Sequence, residues 1–198
     1  MLFRSPQQQI LTRLLARDDM PLVVDADAIN ALAALPDVQA DVRAPVVLTP
    51  HPGEYRRLSL HLGLEEDPVA PESRVAAAVA LARRLGCVVV LKGEGTVITD
   101  GQDVKINDTG NVALATAGTG DVLTGVIAGL VAQFFSPESG PTPPAGGLSL
   151  LDCATLGVWI HGRAADQWAA RHGSAGLVAG DLLDHVPDVL ATLRGESG

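Results

Sequence analysis

Apolar runs of four or five residues alternate along this chain with longer stretches in which apolar residues recur at helical spacing. The short runs predict buried strands at residues 21–25, 45–49 and 87–91, and a hairpin formed by residues 96–99 and 103–106. The helical spacing predicts helices at residues 7–17, 28–34, 72–85, 121–134, 150–170 and 182–193. Buried β-branched runs are typical of parallel strands, so the pattern predicts an α/β fold with a mostly parallel central sheet.

Some segments and side chains are expected to serve structure alone. Residues 63–71 are acidic and contain proline, and residues 136–147 are rich in proline, glycine and serine, so both are expected to be surface connections, the second a mobile one. Trp159 and His161 on the predicted helix at 150–170 are expected to pack in the core. Asp181 is expected to be structural. Residues 1–5 are left out of the fold prediction.

The composition limits the classes of protein to which the chain can belong. Its 198 residues, 47% of them apolar, suit a single domain over residues 1–198. A net charge of −9 argues against non-specific binding to nucleic acid or to an anionic membrane. No run of about 18 apolar residues predicts a membrane span, and no secretory signal is apparent at the N-terminus. Cys87 and Cys153 are expected to be buried thiols in a reducing compartment, the cytoplasm. The sequence leaves homo-oligomerisation open.

Candidate chemistry is concentrated in residues 107–133, where a glycine-rich turn leads into an apolar helix. Gly118 and Gly120 lack a Cβ atom, so the backbone there can approach a ligand closely. The first amides of the following helix are unpaired and lie at the positive end of its dipole, which favours an anion such as phosphate. Asp121 at this position is a candidate base for a hydroxyl group that attacks phosphate. Taken alone, the same residue is more often a helix cap.

A second candidate is Lys92, which follows the buried strand at 87–91 and precedes Gly93. A lysine that leaves a strand into such a turn can reach phosphate as a point charge, although most surface lysines are merely solvated. The segment is not a Walker A loop, because the ending Gly-Lys-Ser/Thr is absent.

Carboxylates and a histidine follow the other predicted strands. Asp25 could support a metal or a substrate, and a capping or turn role is about as favoured. Asp27 is expected to cap the helix at 28–34. Glu54 is expected to be a capping carboxylate, and His51 lies in a loop that Pro50 and Pro52 hold stiffly.

Four ordered motifs resemble those of the ADP- or ATP-dependent (S)-NAD(P)H-hydrate dehydratases, repair enzymes with a ribokinase-like fold. They are the sequences Asp-Ala-Asp-Ala-Ile-Asn at 25–30, Leu-Thr-Pro-His-Pro-Gly-Glu at 48–54, Leu-Lys-Gly-Glu-Gly-Thr at 91–96, and Asn-Asp-Thr-Gly-Asn at 107–111 followed by Ala-Gly-Thr-Gly-Asp at 117–121. The resemblance extends from about residue 21 to the C-terminus. It implies a three-layer α/β/α fold, with the first βα units of the family expected to be missing.

The resemblance also implies a reaction and a set of site residues. A nucleotide phosphorylates the hydroxyl of the hydrated nicotinamide ring of the (S) epimer, and phosphate then leaves to regenerate NADH or NADPH. Asp121 would be the catalytic base and, with His51, would contact the hydrated dinucleotide. The amides of Gly118, Thr119 and Gly120 would form the anion hole. The adenine nucleotide, ADP or less favourably ATP, would be bound by Lys92, Gly93, Glu94, Gly95, Thr96 and Gly120. Mg²⁺ would bridge its phosphates, and the resemblance does not assign the protein ligands of the metal.

The chain departs from the family pattern at two positions, and two other functions stay open beside the one implied by the resemblance. The family usually has proline where this chain has Asp108 and Val112, which predicts a less rigid loop before the signature. A small-molecule kinase of the same fold would release a stable phosphorylated alcohol. A non-catalytic nucleotide-binding fragment would be stabilised by nucleotide without turnover.

Overall fold

The computed structural model describes residues 5–36, 38–136 and 147–195, and contains the predicted strands and helices with shifts of a few residues at their ends. The strands are β1 Leu22–Val24, β2 Val46–Leu48, β3 Val88–Leu91, β4 Val97–Thr99 and β5 Val104–Ile106. The helices are α1 Pro6–Leu15, α2 Asp27–Leu32, α3 Val38–Asp41, α4 Pro52–Leu62, α5 Pro71–Leu85, α6 Thr119–Phe134, α7 Leu150–His172 and α8 Ala179–Leu193, with a short 3₁₀ helix at Val112–Leu114.

Several of these elements differ from the sequence prediction or extend it. The four-residue helix α3 has no counterpart in the prediction, because it is too short to show helical periodicity. Ser5, which the fold prediction excluded, caps α1 by accepting a hydrogen bond from the amide of Gln8. Most of the expected connection at 136–147 lies outside the described residues.

The five strands form one sheet in the order β1-β2-β3-β4-β5. The first three are parallel, with Val24 opposite Leu48 and Leu48 opposite Val89. The predicted hairpin then adds β4 and β5 as antiparallel strands, so the sheet is mixed. Because the carboxyl ends of parallel strands meet at the same edge, the segments that follow β1, β2 and β3 lie together.

Alternate residues of the strands pack into two separate cores, one on each face of the sheet. One face contributes Val24, Leu48 and Val89 to a core with α1, α2, α4 and α5. The opposite face contributes Val47, Val88 and Val90 to a core with α6, α7 and α8. The result is the three-layer α/β/α arrangement expected from the resemblance.

Both cysteines are buried thiols, as expected from their apolar surroundings. Cys87 belongs to the first core and Cys153 to the second, and neither forms a disulfide. Burial raises the pKa of Cys87 to about 12, and burial followed by the charge of Asp152 raises that of Cys153 to about 11, so both stay protonated near neutral pH. Among the described residues, no helix has the length and apolar character needed to cross a membrane.

Candidate active site

A cleft of about 1100 Å³ lies at the carboxyl edge of the parallel strands, against the first turn of α6. The structure brings every predicted site residue to its wall, although these residues come from three distant parts of the chain. They are His51, Lys92, Gly93, Glu94, Gly95, Thr96, Gly118, Thr119, Gly120 and Asp121. Residues of the loop at 107–116 line the same cleft.

The glycine-rich turn forms the amino end of α6, as the sequence predicts, but the helix begins two residues earlier than expected. Gly118 precedes it with a φ of +87°, a conformation that favours glycine. The amide of Asp121 donates to the carbonyl oxygen of Gly118 at 3.1 Å, and that of Thr119 makes a longer bond to Thr116 at 3.4 Å. Among the described residues, no acceptor faces the amides of Gly118 and Gly120, which leaves them available to an anion.

Asp121 lies in the first turn of α6, and its side chain is exposed to the cleft. No donor from the described part of the chain bonds to its carboxylate, so both oxygens can accept a proton or a ligand. It does not cap α6, because the N-cap position is Gly118. The capping role that the residue type favours therefore does not apply.

Lys92 and Asp25, which both line the cleft, form a largely buried ion pair. The Nζ atom of Lys92 lies 2.7 Å from Oδ1 of Asp25, and their side chains are 20% and 10% exposed. Thr124 on α6 donates to Oδ2 of Asp25 at 3.0 Å. Burial opposes ionisation of Asp25, but the hydrogen bond and the charge of Lys92 outweigh it and hold the pKa of the carboxyl below its usual value. The sequence left a metal, substrate, capping or turn role open for Asp25. The structure shows a further role, which is to orient Lys92.

This ion pair also lies beside the glycine-rich turn at residues 118–120. A Cβ atom at Gly120 would lie 3.5 Å from Nζ of Lys92 and 3.7 Å from Oδ2 of Asp25. The free amide of Gly120 and the ammonium group of Lys92 are thus close neighbours. Together they place two N–H donor groups side by side in the cleft, with the carboxylates of Asp25 and Glu54 at 2.7 and 3.9 Å from the ammonium nitrogen.

His51 and Glu54 cap α4 reciprocally. Nδ1 of His51 accepts from the amides of Gly53 at 2.9 Å and Glu54 at 3.3 Å, and the Glu54 carboxylate accepts from the amide of His51 at 2.8 Å. This confirms the capping role predicted for Glu54. With Nδ1 accepting, the Nε2 atom of a neutral His51 carries the proton and lies 3.4 Å from Oε1 of Glu54; the His51 side chain is half exposed and lines the cleft. The predicted contact of His51 with substrate stays a prediction.

The expected capping role of Asp27 is wrong. The N-cap of α2 is Ala26, without a side-chain hydrogen bond, and Asp27 is the first helical residue. Its exposed carboxylate instead accepts a long hydrogen bond of 3.4 Å from Asn30. Ala26 adopts a φ of +51°, which is strained for a residue other than glycine, and it lines the cleft.

Sequence reasoning missed Arg74, which fixes the chain at Lys92. From α5, its Nη2 atom donates to the carbonyl oxygens of Leu91 and Lys92, both at 2.8 Å, and its Nη1 atom donates to that of Pro68 at 2.8 Å. The helical pattern placed Arg74 on α5, but no local signal indicates that a guanidinium will reach the end of a strand 17 residues further along the chain.

The expectation that His161 serves packing alone is incomplete. This residue of α7 is 7% exposed, and its Nε2 atom lies 2.9 Å from the carbonyl oxygen of Thr119 in the glycine-rich turn. Because a carbonyl oxygen only accepts, Nε2 carries a proton. Burial lowers the pKa of His161 to about 4, against the opposing effect of this hydrogen bond and with a smaller contribution from Lys92. The imidazole is therefore neutral at pH 7.

The described residues fit a metal ion held mainly by a ligand rather than by the protein. No group of three or more histidine, cysteine or acidic side chains in the described part of the chain could hold a metal ion. Mg²⁺ is commonly bound through one or two carboxylates and the phosphates of a nucleotide. Besides Asp121, the cleft offers the exposed carboxylates of Glu94 and Asp108 for such a contact.

Comparisons with known proteins show the family to which the chain belongs. The sequence profile of the NAD(P)H-hydrate dehydratase family, which is of the carbohydrate kinase type, matches residues 2–188. The chain is 46% identical over 189 residues to the bifunctional NAD(P)H-hydrate repair enzyme Nnr of Moorella thermoacetica. The matched region covers 94% of this chain and 32% of that protein. It is 38% identical over 168 residues to the ADP-dependent (S)-NAD(P)H-hydrate dehydratase of Neisseria meningitidis. That matched region covers 83% of this chain and 51% of that protein.

A solved structure shares the fold. The ADP/ATP-dependent NAD(P)H-hydrate dehydratase from Bacillus subtilis, co-crystallised with ATP and Mg²⁺, superposes with a TM-score of 0.74 and 32% sequence identity. The superposition covers 93% of this chain and 59% of that one. This likeness confirms the expected ribokinase-like α/β fold. The chain spans about a third of the length of the first curated relatives that it matches.

Proposed function

The chain belongs to the NAD(P)H-hydrate dehydratase family, and we propose that it carries the site for nucleotide-dependent dehydration of the (S) epimer of NADH or NADPH hydrate. The observation that supports this most directly is the cleft itself. It gathers His51, the segment from Lys92 to Thr96 and the turn from Gly118 to Asp121 around one space. A cleft of about 1100 Å³ also has room for more than one small ligand, as a reaction between a dinucleotide and a nucleotide requires.

Phosphoryl transfer is the first step, and Asp121 is its proposed base. Its exposed carboxylate takes the proton of the hydroxyl group on the hydrated ring. The hydroxyl oxygen then bonds to the terminal phosphorus of the nucleotide as the bond from that phosphorus to the leaving phosphate oxygen breaks. ADP would yield AMP, and ATP would yield ADP.

Charge that develops on the transferred phosphoryl group would be stabilised at the amino end of α6. The amides of Gly118 and Gly120 are free of protein acceptors in the described part of the chain, and Lys92 lies next to Gly120. Because Asp25 and Arg74 fix Lys92 and its backbone before any ligand binds, this positive charge needs little reorganisation during the reaction.

Elimination is the second step and completes the repair. The carbon–oxygen bond to the phosphorylated hydroxyl breaks, phosphate leaves, and the neighbouring ring carbon loses a proton to restore the double bond of NADH or NADPH. Phosphate is a better leaving group than hydroxide, which is the reason for consuming a nucleotide. The proposed location of this chemistry is the cytoplasm, in keeping with two free, protonated thiols.

Mg²⁺ is the proposed metal, and it would be held chiefly by the nucleotide phosphates with Glu94, Asp108 or Asp121 as the available protein contacts. When bound, it neutralises phosphate charge. ADP is the proposed donor and ATP the alternative, since the relatives include an ADP-dependent and an ADP/ATP-dependent dehydratase.

The test is regeneration of the dihydronicotinamide chromophore. The chain is incubated with Mg²⁺ and the purified (S) epimer of NADH hydrate, in separate reactions with ADP, with ATP and without nucleotide. The near-ultraviolet absorbance band of NADH is followed in each. The Bacillus subtilis dehydratase serves as a positive control. Nucleotide-dependent growth of the band is expected, and the faster donor identifies the cosubstrate. No growth with either nucleotide, while the control is active, would overturn the proposal for this chain.

A further inference from the structure

Helix α7 carries a carboxylate that holds the loop leading into residues 118–120, the proposed anion-binding turn. Asp166 is partly buried, and both of its oxygens accept hydrogen bonds from this loop. Oδ2 accepts from the amide of Gly110 and Oδ1 from Nδ2 of Asn111, each at 3.0 Å. The acceptor and donors are 55 and 56 residues apart in sequence, so this is a tertiary contact rather than a local turn.

The hydrogen bonds continue from this contact to the first turn of α6. Oδ1 of Asn111 accepts from the amide of Ala113 at 3.0 Å and thereby caps the 3₁₀ helix at Val112–Leu114. The last carbonyl of that helix, at Leu114, accepts from the hydroxyl of Thr119 at 2.8 Å. Thr119 lies between the two glycines whose amides are free.

We propose that Asp166 is a positioning residue for the anion-binding turn and the catalytic base that follows it. It acts through Asn111 and the 3₁₀ helix rather than by touching a ligand, since it does not line the cleft. Its effect on turnover rests on the proposed dehydratase function, whereas its effect on the conformation of the loop does not.

A carboxylate is needed at this position because two donors face it. Asp166→Asn supplies one acceptor and one donor, so the new amide group confronts either the N–H of Gly110 or the NH₂ of Asn111. Loss of one partner leaves a partly buried polar group unsatisfied and releases the cap on the 3₁₀ helix. Because misplacement of a site by about 1 Å can lower the rate about a hundredfold, kcat is expected to fall about ten- to a hundredfold.

Exchanging the two side chains provides a rescue. In the double variant Asp166→Asn with Asn111→Asp, the new carboxylate at 111 accepts from Ala113 and from the new amide at 166, whose oxygen accepts from Gly110. All three hydrogen bonds are thus kept, and only the one between residues 111 and 166 has its donor and acceptor reversed. In Asn111→Asp alone, two carboxylates face each other, and the loop is expected to be displaced.

The experiment measures kcat, KM, the melting temperature and amide hydrogen exchange at Gly110 and Ala113 for the wild type, both single variants and the double variant. Asp184→Asn, which removes the same charge from an exposed position on α8, is the control. Each single variant should show faster exchange and lower kcat, and the double variant should recover both. Full kcat and slow exchange in Asp166→Asn would overturn the proposal, as would a double variant that stays impaired or does not fold.

Hydrogen exchange separates this proposal from the proposed function. If the wild-type chain shows no dehydratase turnover, the function fails, but the exchange rates of the four proteins still confirm or overturn the positioning role.

Discussion

Two aspartates of the cleft illustrate how neighbours decide the role of a residue. Asp25 is held by Lys92 and Thr124, and its carboxylate is 10% exposed, so both of its oxygens are engaged. Asp121 is exposed, and its oxygens have no donor within the described part of the chain. The sequence singles out both as carboxylates near strand or helix ends, but only Asp121 is free to take a proton.

The first prediction concerns Asp121→Asn. The amide keeps the size of the side chain but cannot accept the hydroxyl proton, so turnover is expected to fall at least about a hundredfold. Nucleotide affinity, measured by calorimetry, should be largely kept because the amides of Gly118 and Gly120 and the charge of Lys92 remain. Asp184→Asn is the control for loss of one negative charge. Turnover close to that of the wild type would remove Asp121 from the role of base.

The second prediction concerns His161 and pH. Its pKa is about 4 in the folded chain against 6.5 when unperturbed, so between these values the unfolded chain binds a proton that the folded chain excludes. The stability contribution is therefore complete above pH 6.5 and is lost as the pH falls toward 4. The full loss is roughly 3 kcal/mol.

Urea denaturation at pH 7 and near pH 4.5 measures this loss. His161→Gln keeps a donor for the carbonyl oxygen of Thr119 but does not titrate, so it should lose less stability than the wild type over the same interval. His61→Gln, at an exposed position on α4, should behave like the wild type. An equal loss in wild type and His161→Gln would show that other groups cause the pH dependence.

At the element scale, α7 is both a core helix and the support of the site. Its buried apolar residues pack in the second core, Asp166 contacts the loop at 107–111, and His161 contacts the first residue of α6. Close approach depends on Gly162, because a Cβ atom there would lie 2.7 Å from the carbonyl carbon of Thr109 and 2.9 Å from the amide nitrogen of Gly110. Both contacts are with backbone, which cannot rotate away.

The third prediction follows from this contact. Gly162→Ala should destabilise the protein by about 1–3 kcal/mol through overpacking, although alanine favours a helix more than glycine does. Gly125→Ala on α6 is the matched control, since a Cβ atom there meets nothing within 4 Å. It should stabilise by about 0.5–1 kcal/mol. Urea denaturation of both variants checks the pair, and a Gly162→Ala protein as stable as Gly125→Ala would contradict the packing argument.

At the scale of the whole molecule, the parallel strands gather distant segments into one site. The ends of β1, β2 and β3 carry Asp25, His51 and Lys92 to the same edge of the sheet, where α6 presents its amino end. Lys92 joins β3 to β1 through Asp25, which in turn contacts α6. The cleft is therefore lined by residues from the strand ends, from the amino end of α4 and from α6 and α7.

The fourth prediction is that ADP or ATP with Mg²⁺ stabilises the folded chain. At about a hundred times Kd, ligand binding contributes about 2.7 kcal/mol, which corresponds to a rise in melting temperature of roughly 5–10 °C for a chain of this size. Lys92→Met should reduce this rise, whereas Lys105→Met, at an exposed position on β5, should not. No rise at saturating nucleotide would count against nucleotide binding by this chain.

The sequence by itself determined the elements and the type of site. Helical spacing and β-branched runs located the main strands and helices because burial periodicity is a local property of the chain. The glycine-rich turn before α6 and the lysine after β3 indicated phosphate binding for the same reason, as both depend on neighbouring residues. The four motifs then added the family, and the fold and the family match agree with it.

Only the tertiary structure decided which side chains support that site. Arg74, His161 and Asp166 reach backbone groups that lie 17 to 56 residues away, so no spacing in the sequence predicts those contacts. The tertiary structure also pairs Asp25 with Lys92 instead of using it as a helix cap, because these two residues meet only when β1 and β3 flank β2. The residue types of the site can therefore be predicted from local sequence, whereas its geometry depends on long-range packing.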